Sequence, residues 1–178
     1  MTKVEITGNS MIMLFAGYET TSNAMLFLAY NLALHKDAQH HVREEVQAAL
    51  HKHVRITYEA AQELKYLTQC INESMRLYAP IPGNSRYCEE DITINGITIP
   101  RGATIDVPVY GMGRDGDIWE DPLVFNPDRM EDMSKIDPMI YQPFGAGPRN
   151  CIGMRFALLE IKITFAKLLL KFDLDVCE

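Results

Sequence analysis

The sequence predicts a mainly α-helical fold with a small antiparallel β-sheet. Three observations carry this prediction. Helical patterns fill most of residues 5–78, two short alternating segments flank an Asn-Gly pair, and a final helical pattern follows a long stretch rich in glycine, proline and aspartate. Strands and helices do not alternate along the chain, so a doubly wound parallel sheet is not expected.

The composition is that of one globular domain. The chain has 178 residues, of which 47% are hydrophobic and 23% are charged, enough for a single core and against global disorder. A formal net charge of -7 argues against nucleic acid as a partner. The four cysteines fit no zinc spacing, so we expect reduced thiols. No secretory signal precedes the first helix.

The first predicted element is one long helix over residues 5–34. Its segment 11–34 is apolar enough to suggest a membrane span, but the carboxylate of Glu19 in its middle is costly in a bilayer. We therefore expect a helix that protein surrounds on most sides. The polar residues Asn23 and Asn31 inside it then need a specific reason.

Further helices are predicted over residues 37–78. Asp37 is the expected N-cap of a helix to about residue 51, and Thr57 is expected to cap a short helix over 58–63. A stronger helix over about 66–78 ends before two prolines. Its apolar stripe contains Leu67, Ile71, Met75 and Tyr78.

A small sheet is predicted over residues 91–109. Residues 91–100 alternate around Asn95-Gly96, a dipeptide that favours a type I′ hairpin turn, and 103–109 is a further strand candidate.

Residues 111–150 lack periodicity and predict a long irregular connection, a kind of loop that is usually functional. The last helix is predicted over 152–171. Its lysines, which suit its later turns, serve either to dock an acidic partner or as ordinary solubilising charges.

The most informative stretch is F-G-A-G-P-R-N-C-I-G, residues 144–153. A glycine-rich loop here delivers Cys151 to the expected start of a helix, where the helix dipole and the nearby Arg149 favour a thiolate. Gly147 and Gly153 allow a bulky planar group to approach the backbone closely. The plainer alternative is a buried structural cysteine.

This stretch resembles the haem-binding signature of the cytochrome P-450 family, F-x-x-G-x-R-x-C-x-G, at every specified position. The resemblance implies that haem b binds with Cys151 as the axial ligand to its iron. It also implies that Arg149 pairs with a haem propionate and that Phe144 packs beside the ligand loop. A thiolate ligand favours O–O cleavage at the iron.

Glu73 and Arg76 lie at i and i+3, on one face of a helix. Alone, the pair would indicate a surface salt bridge of little energy. The family has an E-x-x-R in this place, and residues 125–129 resemble the segment that supplies its partner arginine. The resemblance therefore implies a buried charge network of Glu73, Arg76 and Arg129 that holds the loop beneath the haem.

Residues 16–21 resemble the oxygen-activation motif of the family, A-G-x-[DE]-T. The resemblance implies that Gly17 opens a groove over the iron, that Thr20 hydrogen-bonds dioxygen and that Glu19 helps to relay protons. The alternative is a helix N-cap or a simple polar kink. By the same resemblance, Arg86 reaches a haem propionate.

The resemblance covers the whole chain and implies the C-terminal part of the cytochrome P-450 fold, closest to animal microsomal forms. It implies a monooxygenase that inserts one oxygen atom of O₂ into a lipophilic organic substrate. Electrons would come from NADPH through a partner reductase. A missing N-terminal anchor would hold the protein on the cytoplasmic face of the endoplasmic reticulum membrane.

Two other functions stay open. One is a haem-thiolate isomerase or dehydratase that acts on a peroxide, which the intact acid–threonine pair disfavours. The other is a non-catalytic haem-binding fragment. We expect the isolated chain to bind haem weakly and not to turn over substrate. The substrate itself is not predicted.

Overall fold

The computed structural model describes residues 1–177 and confirms the predicted fold class, with helices predominating over two small antiparallel sheets. The α-helices are α1 Lys3–Leu34, α2 Lys36–His53, α3 Tyr58–Glu63, α4 Lys65–Leu77, α5 Val109–Met112 and α6 Met154–Leu169. The strands are β1 Asn84–Tyr87, β2 Ile92–Ile94, β3 Ile97–Ile99 and β4 Thr104–Val107. One hydrophobic core joins α1, α2, α4 and α6.

Helix α1 begins two residues earlier than predicted because a capping box fixes its start. Thr2 Oγ1 accepts from the backbone N–H of Glu5 at 3.3 Å, and Glu5 Oε2 accepts from the N–H of Thr2 at 2.7 Å. The expectation that protein surrounds α1 was wrong for its first half, because residues 1–19 are all exposed. Its buried residues all lie in the second half, where α4 and α6 pack: Thr21, Ala24, Leu28, Asn31, Leu32 and Ala33.

Within residues 1–177, no helix has both the length and the apolar character that crossing a membrane requires.

A single residue, His35, separates α1 from α2. Its backbone N–H donates to the carbonyl of Asn31 at 3.0 Å, and α2 starts at Lys36. The prediction of Asp37 as the N-cap was therefore wrong. Asp37 lies in the first turn of α2, where the helix dipole favours a carboxylate. The helix ends at His53, two residues later than predicted.

Helix α4 receives its N-terminal cap from a neighbouring helix. Thr57 caps α3 with its own side chain, which accepts from the N–H of Ala60 at 3.2 Å, but α4 has no such residue. Glu45 of α2 accepts instead, from the N–H groups of Tyr66 at 2.8 Å and Leu67 at 3.0 Å. This contact satisfies donors that would otherwise be unpaired and joins α2 to α4.

The sheet predicted over residues 91–109 is in fact two separate two-stranded sheets, of which only β2–β3 is a hairpin. Strands β2 and β3 pair around Asn95 (φ 50°) and Gly96 (φ 81°), the backbone of a type I′ turn. Strand β4 pairs with β1, which lies before the predicted range. The strand predicted to Val109 ends at Val107, because Pro108 lacks a backbone donor and begins α5.

The long connection contains α5 and three short 3₁₀ turns, over Pro127–Met130, Met133–Lys135 and Gly147–Arg149. The last helix, predicted over 152–171, spans Met154–Leu169. Lys162 is buried in it, and burial lowers the pKa of its ammonium group. The alternative that these lysines are all solubilising or docking charges was therefore wrong for Lys162.

Candidate functional site

Cys151 lies in an exposed loop that a backbone hydrogen bond closes. Its N–H donates to the carbonyl of Phe144 at 2.8 Å. Gly145 (φ 71°) and Gly147 (φ 78°) take up left-handed backbone conformations between these two residues. Helix α6 begins at Met154, two residues later than predicted, so Cys151 precedes the helix and its N-cap Gly153 rather than lying at the helix start.

The neighbours of Cys151 leave one side of the loop open. Nothing lies within 4 Å of the position that a Cβ of Gly147 would take. Gly153 is the N-cap of α6, and a Cβ there would lie 3.9 Å from the Cys151 sulfur. Phe144 anchors the other end of the loop, half-buried against the core. The loop therefore presents an accessible thiol while Phe144 and the closing hydrogen bond keep its ends in place.

Two arginines flank this loop. Arg149 is exposed and, within residues 1–177, makes no ion pair. Arg86 of β1 donates to the carbonyl of Ser85 at 2.9 Å and to that of Ala146 at 3.4 Å. Strand β1 thus brings Arg86 to the cysteine loop. Neither guanidinium has a carboxylate partner in the described part of the chain, so both can bind an anion.

The structure buries Glu73 and Arg76 as a two-point ion pair. Arg76 Nε donates to Glu73 Oε2 at 2.8 Å and Nη2 donates to Oε1 at 2.7 Å, with both side chains 0% exposed. The remaining N–H groups donate to the carbonyls of Gly113, of Pro122 at 2.7 Å and of Val124 at 3.2 Å. All five donors of the guanidinium therefore have acceptors.

Arg129 completes the network from the long connection. Its Nε donates to Glu73 Oε1 at 2.9 Å, and Nη1 donates to the carbonyl of Glu120 at 2.9 Å. The N–H of Asn126 also donates to Glu73 Oε1, at 3.0 Å. The structure thus brings Glu73, Arg76 and Arg129 together, and they bind backbone of the segment between α5 and the cysteine loop.

Two residues of this network were not recognised as such in the sequence. A Cβ on Gly113 would lie 2.3 Å from the carbonyl oxygen of Arg76, so only glycine fits there without displacement. The indole ring of Trp119 stacks on Arg76, with 5.2 Å between the ring centroid and the guanidinium carbon of Arg76. The Nε1 of Trp119 donates to the carbonyl of Met112 at 3.0 Å. No local pattern marks either residue, because their partners lie far away in the sequence.

The motif in α1 stands apart from the loop. Gly17 and Glu19 are exposed, and Thr20 Oγ1 donates to the carbonyl of Ala16 at 2.7 Å. None of them forms a hydrogen bond to the cysteine loop within residues 1–177. The alternative that the motif is a helix N-cap was wrong, since it lies well inside a helix that begins at Lys3.

The residues around Cys151 fit a haem. The thiol is an exposed single donor, and the open space beside Gly147 admits a flat group. Two guanidinium groups without a carboxylate partner in residues 1–177 suit the carboxylates of the cofactor. The described residues contain no cluster of three or more His, Cys, Asp or Glu side chains that would hold a metal ion without other ligands.

A haem-thiolate protein holds its iron through one cysteine thiolate, and the accessible Cys151 with two arginines at its loop fits that class. The model of one family, described as Cytochrome P-450, matches residues 1–178. The chain belongs to the cytochrome P-450 family.

Curated relatives match the chain over its whole length. Cytochrome P-450 3A16 of Mus musculus is 43% identical over 180 residues, covering 100% of this chain and 36% of that protein. Cytochrome P-450 3A27 of Oncorhynchus mykiss is 44% identical over 180 residues, covering 100% of this chain and 35% of that protein. Cytochrome P-450 3A6 of Oryctolagus cuniculus is 43% identical over 178 residues, covering 98% and 35%. The chain thus spans little more than a third of the length of these relatives.

Proposed function

We propose that this chain is part of a haem-thiolate monooxygenase that inserts one oxygen atom of O₂ into a lipophilic organic substrate, with Cys151 as the axial ligand of haem b. The observation that carries the proposal is the exposed Cys151 thiol beside the open side of Gly147. When bound, the haem supplies the iron chemistry that activates dioxygen.

The residues around the thiol would hold the cofactor in place. Arg149 and Arg86 would each pair with a propionate, because charge-assisted hydrogen bonds from guanidinium to carboxylate are strong and directional. Gly147 and Gly153 would let the ring approach the loop, and Phe144 would fix the loop against the core. The exposure of both arginines supports this assignment.

Glu19 and Thr20 would transfer protons on the side of the haem opposite Cys151, where Gly17 leaves space. The proton of the Thr20 hydroxyl is directed at the carbonyl of Ala16, but a hydroxyl keeps two lone pairs as acceptors. Thr20 would therefore hold a water molecule by accepting its hydrogen bond, and Glu19, which is exposed, would exchange protons with solvent. Glu19 and Thr20 would together deliver protons to the reaction.

Electrons would come from NADPH through a partner reductase, and the whole protein would act on the cytoplasmic face of the endoplasmic reticulum membrane. Both proposals follow from the resemblance to animal microsomal members of the family.

The isolated chain would be a haem-binding fragment rather than an active enzyme. Residues 1–19 are exposed, so the oxygen side of the site is open to water on its own. Oxygen chemistry without side reactions needs a site that excludes water. Substrate-dependent product formation by the purified chain, with product matched to the electrons consumed, would contradict this part of the proposal.

The haem assignment is tested by the carbon monoxide difference spectrum of the reduced, haem-loaded chain. We expect a strongly red-shifted Soret band that Cys151→Ser abolishes. Cys177→Ser is the matched control, because Cys177 is also exposed but lies beyond α6. A red-shifted band that survives in Cys151→Ser, or a wild-type band at the position of histidine-ligated haem, contradicts the assignment.

A further inference from the structure

Apolar residues are spread around α1 between its polar ones, so the hydrophobic effect alone selects no sharply defined face. Two specific contacts with α4 do distinguish one face. Asn31 Nδ2 donates to Ser74 Oγ at 3.0 Å in the core, with Asn31 3% and Ser74 1% exposed. The ring of Phe27 stacks on that of Tyr78, with centroids 4.4 Å apart and planes within 2° of parallel.

The spacing of these two contacts matches the helix repeat. Phe27 and Asn31 are one turn apart on α1, and Ser74 and Tyr78 are one turn apart at the end of α4. Phe27 contacts the later residue of the second pair and Asn31 the earlier one, so the helices run antiparallel. We call Asn31–Ser74 and Phe27–Tyr78 the register contacts.

We propose that the register contacts fix how far α1 slides and rotates against α4, and that Asn31 is thereby a positioning residue for Gly17 to Thr20. The structural part of this inference stands on the contacts alone. Its consequence for catalysis rests on the proposed function.

The polar contact gives the register its specificity. A slide of one turn would move Asn31 away from Ser74 and leave its amide unpaired in an apolar core, which is unfavourable. Apolar neighbours such as Leu28 and Leu32 would lose less in the same slide, because the contacts of an apolar side chain are not directional. A single buried asparagine fixes helix register in coiled coils for the same reason.

The register matters for Thr20 because the packing of α1 ends next to it: Thr21 is the first buried residue of the helix. Residues 1–19 are exposed, and Thr20 lies eleven residues before Asn31, about 16 Å along the helix axis. A slide of one turn would displace Thr20 by about 5.4 Å, more than the length of a hydrogen bond. The position of Thr20 therefore depends on contacts that lie beyond it.

The test measures the helix positions directly. Spin labels are attached at Ser10→Cys on α1 and Lys65→Cys on α4, both exposed positions, and the distance between them is measured by pulsed electron paramagnetic resonance. The full chain is used with its three accessible cysteines replaced by serine and buried Cys70 retained. Circular dichroism confirms that each variant is folded.

Asn31→Leu and Ser74→Ala each remove the polar contact. We expect both to broaden the single distance peak or to add a second peak about 5 Å away. The matched control is Asn23→Leu, the same substitution at a half-exposed position on α1 that forms no side-chain hydrogen bond within residues 1–177. We expect this control to keep the wild-type peak. Ser74→Ala removes one atom only and so keeps the test valid if Asn31→Leu fails to fold.

Tyr78→Phe keeps the stacked ring and is expected to keep the wild-type peak, whereas Tyr78→Leu is expected to broaden it. An unchanged, single peak in both Asn31→Leu and Ser74→Ala overturns the inference. The carbon monoxide spectrum of haem-loaded wild type decides the proposed function separately, because the label distances need no haem. If that spectrum lacks the thiolate band while the variants still broaden the distance peak, the proposed function fails and the register role stands.

Discussion

Replacing Arg76 by methionine is expected to remove much of the stability of the fold. Methionine fills similar space but leaves the buried Glu73 carboxylate with Arg129 and the Asn126 N–H as its remaining partners. It also leaves the carbonyls of the long connection without the donors of the guanidinium. Removing one partner of a buried ion pair costs about 3–5 kcal/mol. That is a large fraction of the roughly 5–15 kcal/mol by which a domain is stable.

Urea unfolding followed by far-UV circular dichroism measures this loss. The control is Lys135→Met, which breaks an exposed pair with Asp132 at 3.3 Å and is expected to cost little, because solvent screens such pairs. The double variant Glu73→Leu/Arg76→Met removes both charges and is expected to cost less than Arg76→Met alone, because no buried carboxylate that has lost a partner remains. If Arg76→Met costs no more than Lys135→Met, the network does not stabilise the fold and this reasoning is refuted.

Three further changes test other parts of the site, each by the same unfolding measurement. Gly113→Ala is expected to cost about 1–3 kcal/mol, because its Cβ would lie 2.3 Å from the backbone oxygen of Arg76. Gly111→Ala is the control and should cost less, because its Cβ would make only an ordinary van der Waals contact. Equal costs of the two variants would contradict the packing argument. Gly147→Ala is expected to cost about 1–2 kcal/mol, because its φ of 78° is left-handed, and a neutral result would contradict this. Burial raises the pKa of Tyr141 well above its usual value of about 10. Above about pH 10 the unfolded chain therefore binds fewer protons than the folded chain, and the stability of the fold decreases as the pH rises. Tyr141→Phe should reduce that fall by up to about 1.4 kcal/mol per pH unit, and an unchanged slope would contradict the assignment.

The charge network was predictable from the sequence in part. Glu73 and Arg76 lie three residues apart on a helix, and that spacing alone places them side by side. Whether such a pair is buried depends on what covers it. Here the cover is backbone from the connection after α5, which supplies carbonyls to Arg76 and requires glycine at 113. Backbone carbonyls exist at every residue, so the sequence carries no signal for which of them will be acceptors.

The errors in the fold arose where long-range packing decides the structure. The pairing of β1 with β4 joins segments that are separated by the β2–β3 hairpin, so no local turn signal marks it. The exposure of residues 1–19 is a second case, because an apolar helix pattern does not show which elements cover it. The late start of α6 is a third, since the loop before it closes on Phe144 rather than continuing the helix.

The cysteine side of the proposed site, around Cys151, and its oxygen side, around Thr20, differ in how many stabilising contacts they receive from the rest of this chain. On the cysteine side, Phe144 closes the loop, and the phenol of Tyr141, just before it, donates to the carbonyl of Asn72 on α4 at 2.9 Å. On the oxygen side, Thr20 is only partly buried and directly follows the exposed residues 1–19 of α1. Ligation by Cys151 should therefore form in this chain before a closed oxygen site does. It follows that the thiolate band and substrate turnover are separable, and that the first is the property to measure in these 178 residues.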